Sequence, residues 1–213
     1  MEVDHLDTDH ELVAVLADAQ AAGFLGRAPL IDHVDNGLGF ASAVVAVGGT
    51  RCADLGSGGG VPALVVARAL PDISITCMDR GSKRCEFLEG AVERLDLEAR
   101  VSVVEGDVEE IARLPEHQGG YDVVTARSFG PPAVTAEAGA RLLADGGALV
   151  VSEPPSEEAG ARWQHDGLAS LALTFEQLFE AERLALAIVR RGPGSLDERY
   201  PRRASTVRKR PLF

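Results

Sequence analysis

The sequence is short of what several chemistries require. It has no Gly-Lys-Ser/Thr, which excludes a phosphate-binding loop of the Walker type. Its three cysteines, Cys52, Cys77 and Cys85, lack metal-ligand spacing, so no metal is expected. Cys52 and Cys77 fall in predicted buried strands and read as small core residues, and Cys85 reads as structural rather than nucleophilic. No apolar run approaches the roughly 18 residues of a membrane span. The start, MEVDHLDTDHE, is acidic where a signal peptide is basic. A cytoplasmic protein with no membrane contact is expected. No internal repeat is visible, and His33, His117 and His165 fit no Ser-His-Asp pattern.

What is present narrows the class. With 213 residues and 46% apolar composition, one domain with one sizeable core is expected. The net charge of −12 argues against a generic nucleic-acid coat. The charge is uneven, however. Six of the 21 Lys/Arg lie between Arg199 and Phe213, a stretch with no acid, which leaves 15 basic and 33 acidic groups on the rest. Such a tail either contacts phosphates or folds back on its own acidic body.

The chain is organised around residues 51–70, RCADLGSGGGVPALVVARAL. A short apolar run carrying Asp54 meets glycines at Gly56, Gly58, Gly59 and Gly60, and an apolar helix pattern follows Pro62. Strand, glycine turn and helix in this order bring free N–H groups and open backbone close to a ligand. The spacing is not the dinucleotide pattern G-x-G-x-x-G. A second buried strand, 73–78, leads to Asp79, where nucleotide-binding α/β folds bond ribose hydroxyls. Helix 82–95 follows, with Lys83 and Arg84 in its first turn. Strand 101–104 leads to Asp107, a candidate cap for a helix over 108–114. Strand 121–126 leads to Arg127 at the point where such sheets reverse their order.

The remaining segments frame this unit. Helices are expected over 9–25 and 38–47, with a loop over 26–39 that gathers His33, Asp35 and Asn36. His33 reads as a satisfied histidine more readily than as a ligand or base. Pro132 opens a helix to about 144, and 145–147 form a tight turn into strand 148–152. An acidic, proline-rich loop over 153–160 and a weak helix over 161–168 precede a hairpin of strands 171–179 and 184–190. Residues 192–213 read as irregular. Strands alternating with helices, then a hairpin, imply an α/β fold with a mainly parallel seven-stranded sheet.

The acid before the glycines, Asp54-Leu-Gly-Ser-Gly-Gly-Gly, resembles motif I of class I S-adenosylmethionine (AdoMet) methyltransferases, whose fold is Rossmann-like. More of the chain is similar to one family, the bacterial small-subunit rRNA guanine-N7 methyltransferases, also called the glucose-inhibited division protein B family. The segments are Asp54 to Pro62, Asp79-Arg-Gly-Ser-Lys-Arg84 with Phe87-Leu88, Asp122-Val-Val-Thr-Ala-Arg127-Ser, Tyr200-Pro-Arg-Arg203 with Arg210-Pro-Leu212, and His33-x-x-Asn36. The chain departs from the family at three places. Asp107-Val-Glu109 replaces Arg-Ala/Val-Glu, Ser152-Glu153-Pro154 replaces a Lys-Gly pair, and Gly37 replaces a serine.

The resemblance implies AdoMet as cofactor, held by Gly56, Gly58, Gly60 and Asp79 with Asp107 and Val108 at the adenine. Asp54 is counted with that set, chiefly as the residue that orders the turn. Arg127 is implied as the catalytic-site cation, binding AdoMet's carboxylate or the RNA. Arg202, Arg203, Arg208, Lys209 and Arg210 are implied contacts to 16S rRNA in the small ribosomal subunit. The expected organisation is an N-terminal helical extension (1–47), the AdoMet-binding domain (48–191) and a basic tail (192–213). Two readings stay open beside it: a methyltransferase acting on a smaller or non-ribosomal substrate, favoured by Glu153 and the acidic body, and a non-catalytic AdoMet-binding protein.

Overall fold

The computed structural model describes residues 9–154, 160–181 and 184–213. Five strands run parallel: β1 Arg51–Leu55, β2 Ser74–Asp79, β3 Val101–Glu105, β4 Tyr121–Ala126 and β5 Leu143–Glu153. A hairpin of β6 Leu173–Ala181 and β7 Leu184–Arg191 completes the sheet, with β7 antiparallel to β5. The order across the sheet is β3-β2-β1-β4-β5-β7-β6. The chain starts mid-sheet at β1, winds out to β3, and then resumes on the other side of β1 at β4. The carboxyl ends of β1 and β4 flank that reversal, and ligands bind there in open α/β sheets.

The central strands are largely buried on both faces because helices cover both. Cys52, Ile75, Val123 and Ile188 point to one layer, with α1 His10–Ala21, α2 Leu30–Val47, α3 Ala63–Ala69 and α4 Ser82–Arg94. Ala53, Met78, Val124 and Leu149 point to the other. That layer holds α5 Val108–Ile111, α6 Pro132–Ala140 and α7 His165–Ala169, and α8 Ala204–Lys209 packs on α6. The predicted stripe Leu12, Val15, Leu16 and Ala19 is the buried face of α1, and Asp9 caps the helix by accepting from the Leu12 N–H at 3.0 Å.

Four sequence expectations are corrected. The loop over 26–39 is helical from Leu30 onward, so His33, Asp35 and Asn36 lie on α2. Gly37 and Gly39 lie within this helix, and each marks close packing. A Cβ on Gly37 would lie 2.4 Å from the Val65 Cβ on α3, and one on Gly39 would lie 2.9 Å from Leu184 Cδ2. The close approach outweighs the roughly 1 kcal/mol that each glycine costs a helix. Second, α2 is the one helix among the described residues long and apolar enough to cross a bilayer, although the sequence read as having no such run. Its Val34, Phe40, Ala41 and Val44 are instead buried in the core. Third, the tail, read as irregular, contains α8. In addition, β5 begins at Leu143, so the expected turn at 145–147 is an irregularity within the β4–β5 pairing. Glu153 ends that strand, and residues 155–159 of the expected acidic loop lie outside the described residues.

The packing at Gly37 predicts that restoring the family serine harms this chain. Gly37→Ser is expected to cost about 1–3 kcal/mol by overpacking. Adding Val65→Ala is expected to recover much of the loss, because the two sites share one space. Urea unfolding of the two single variants and the double variant measures this; strictly additive losses would sink the explanation.

Candidate functional site

The glycine turn needs its glycines. Gly56, Gly58 and Gly60 have φ of +65°, +56° and +87°, a region that side-chain-bearing residues seldom enter. A Cβ on Gly56 would come within 3.0 Å of the Phe129 ring, so the bare backbone leaves room there. Asp79 holds the turn in place. Its Oδ2 accepts from the Gly58 N–H at 3.0 Å, and its Oδ1 accepts from the Gly81 N–H and Arg84 Nε, both at 2.9 Å. A carboxylate has about four acceptor sites, so these three bonds leave one for a ligand. Arg84, in the first turn of α4, is matched by Asp79.

Asp54 lies beneath the turn, 1% exposed. Its Oδ1 accepts from Thr125 Oγ1 at 2.7 Å, while its Oδ2 is buried without a partner. Burial pushes the carboxyl up to about 6, although Thr125, Ser57 and the charge of Arg127 oppose the shift. An orphaned acceptor at such a place fits a ligand that brings a donor or a positive charge.

Arg127 follows β4. Its Nε donates to the Val61 carbonyl at 3.1 Å, and its Nη1 donates to His33 Nδ1 at 3.4 Å. His33 Nε2 donates to the Gly26 carbonyl at 3.0 Å, which leaves Nδ1 as the acceptor. The histidine is therefore satisfied, and it braces Arg127 from α2. Asn36, one helical turn on, has a buried Oδ1 without a partner. Burial lowers the Arg127 pKa, and the nearby Asp54 carboxylate opposes that.

Between the ends of β1, β2, β3 and β4 opens a crevice of about 210 Å³. Gly56, Asp79, Asp107, Val108, Phe129 and Arg208 are among its walls. Asp107 was a candidate helix cap, but its side chain makes no capping bond. It is half exposed, with Arg80 Nη1 4.0 Å away, and so is open to a ligand. Burial and the neighbouring Asp107 push the Glu109 carboxyl up, opposed by Arg208 and Arg80. Ser128, also in the wall, has a φ of +55°, backbone strain of the kind that gathers at functional sites.

Of the residues singled out in the sequence, Gly56, Asp79, Asp107 and Val108 line this crevice. Gly58 bonds Asp79, and Asp54 and Arg127 adjoin on the α2 and α3 side. Arg202 is corrected: its guanidinium is committed to the buried Glu137 and is not free for phosphates. Arg208 lines the crevice. Arg203, Lys209 and Arg210 are exposed. Glu153, expected as an acid beside the substrate, is buried and accepts from Arg162 Nη1 at 2.9 Å and Trp163 Nε1 at 3.0 Å. Phe129 was missed as a site residue, although an aromatic just past a strand end at the reversal point was signal enough.

This sheet order, with its acid-glycine crevice, is that of the class I AdoMet methyltransferases. Cofactor-bound Rv0187 from MTB shares the fold, with a TM-score of 0.63 at 19% identity over 90% of this chain and 94% of that one. A family model described as rRNA small subunit methyltransferase G matches residues 30–174. The chain belongs to that family. A relative from Thermotoga sp. (strain RQ2), named Ribosomal RNA small subunit methyltransferase G, is 35% identical over 75% of this chain and 71% of its own length. One of the same name from Rubrobacter xylanophilus is 33% identical over 98% of this chain and 84% of its own.

The buried Asp54 predicts a pH signature. Between its ordinary 3.8 and about 6, the native state holds a proton that the unfolded chain has released. This group's contribution to stability therefore falls as pH rises through that window and is level above it. Asp54→Asn removes the term. The stability advantage of wild type over the variant is expected to be about 2 kcal/mol greater at pH 4.5 than at pH 7.5. Urea unfolding at the two pH values checks it, and an equal difference at both would refute the assignment.

Proposed function

We propose that the protein is an AdoMet-dependent methyltransferase that methylates N7 of a guanine in 16S rRNA. It acts in the cytoplasm, on the small ribosomal subunit or its RNA. The observation that carries this is the crevice at the reversal point. It is built on positive-φ glycines and lined by Asp79 and Asp107, with Asp54 buried beneath the turn, in a chain of this family. These two carboxylates in the wall and the third beneath the bare backbone suit a cationic, phosphate-free cofactor and disfavour a pyrophosphate.

In this reading Gly56, Gly58 and Gly60 give the cofactor its backbone approach. The free site on Asp79 takes a ribose hydroxyl, and Asp107 with Val108 meets the adenine. The orphaned Asp54 Oδ2 faces the cationic end. AdoMet, when bound, supplies an electrophilic methyl on sulfur. Guanine N7 has an exposed lone pair and no proton, so the protein's residues need to position the base rather than remove a proton. Phe129 offers a ring on which a splayed-out base can stack. Arg127, braced by His33 and Val61, offers its remaining N–H groups to the base or to the cofactor's carboxylate. Segment 48–191 binds the cofactor, 1–47 braces the site through His33, and Arg203, Lys209 and Arg210 on the tail contact phosphates.

Transfer from labelled AdoMet to small subunits lacking the modification tests this. Label is expected in a single 16S guanine, and Arg127→Ala is expected to lower the rate by about 100-fold or more. Calorimetric binding of AdoMet without transfer to subunits or naked 16S rRNA would overturn the rRNA reading and leave the cofactor reading standing.

A further inference from the structure

The C-terminal strap reaches the crevice by a built path. Arg113 Nη1 and Nη2 donate to the carbonyls of Glu198, Arg199 and Pro201 at 2.9–3.1 Å. Arg141 donates to the carbonyls of Asp197 and Tyr200 at 2.9 and 2.6 Å. These bonds lay the strap across the α6 layer. At the end of this run, Glu137 of α6 is 0% exposed and receives three bonds from Arg202: its backbone N–H at 2.7 Å, Nε at 2.8 Å and Nη2 at 2.7 Å. Val134, one turn earlier on α6, is a wall of the crevice. Beyond Arg202, α8 buries Val207 and delivers Arg208 to the same crevice. One short helix thus carries both the grip on the strap and part of the cofactor's wall.

We infer that the C-terminal strap is part of the cofactor site: Arg208 closes the adenosine end of the crevice, and the Arg202–Glu137 pair holds it there. The inference rests on the reading of the crevice as the AdoMet site. Arg208 stands with Asp107, Val108 and Glu109, the residues read as the adenine end. Among the described residues it has no ion-pair partner within 4.0 Å, so its flat, donor-rich guanidinium is available to a purine nucleoside. Arg202 is a positioning residue. It acts through a carboxylate whose burial makes the pair rigid, since an unmatched buried charge is costly. A basic tail on an acidic body is in this way divided. Arg202 and Arg208 work inward, while Arg203, Lys209 and Arg210 point outward.

Calorimetry with S-adenosylhomocysteine on the full chain, combined with hydrogen exchange over 204–210, tests the inference. Arg208→Ala is expected to weaken binding about tenfold while leaving the melting temperature unchanged. Arg199→Ala, an exposed neighbour that stacks on Tyr200, is expected to bind as wild type. In wild type the ligand is expected to slow exchange across 204–210. In Arg202→Ala that slowing is expected to vanish while the amides of β1 and β4 stay protected, which a merely destabilised fold would not show. Wild-type affinity in Arg208→Ala, with no ligand effect on 204–210, would overturn the strap's role and leave the crevice reading intact. No binding by wild type would overturn both.

Discussion

The carboxylate of Asp79 ties the site together. It joins the Gly58 N–H of the first turn to the Gly81 N–H and Arg84 of the second, so two loops from adjacent strands share one acceptor. Gly56, Gly58 and Gly60 could adopt many backbone states when free, and glycine loses the most entropy on ordering. A charge-assisted bond to an ionised carboxylate is about twice as strong as a neutral one. Fixed in this way, the turn presents open backbone to the crevice at the place where β1 and β4 part.

Around that point the protein uses its arginines internally. Arg127 joins the glycine loop to α2 through Val61 and His33. Arg100 caps the end of α3 by donating to the carbonyls of Ala67, Leu70 and Ile73. Arg113, Arg141 and Arg202 secure the C-terminal strap. The guanidinium fork suits this work, since it satisfies several carbonyls or both carboxylate oxygens at once. The acid at Glu153 belongs to the same pattern. Matched by Arg162 and Trp163, it is a brace at the carboxyl end of β5 and not a charge set against RNA. The departure from the family at that position is thereby absorbed within the fold.

The strand–turn–helix units were legible because their signals are local. Alternating apolar runs, four close glycines and acids at Asp54, Asp79 and Asp107 follow one another in the order of the sheet. The helix α2 was not legible through its first half. It carries Gly37 and Gly39, whose packing partners Val65 and Leu184 lie across the interface. The tail was half legible. Its charge announced a role, but nothing local distinguished Arg202, facing a buried glutamate, from Arg203 beside it, facing water.

By itself the sequence determined the fold class, the glycine turn and the acids at the strand ends beside it, because each depends on neighbours within a few residues of the chain. Tertiary structure alone decided which charges are spent and which are free. Glu137 and Arg202 are 65 positions apart, and Arg127 meets His33 across 94. Whether a guanidinium holds the protein together or awaits a ligand depends on which carboxylate or carbonyl the fold brings to it. Desolvation makes that choice decisive, since a buried charge without its partner costs more than the fold can spare.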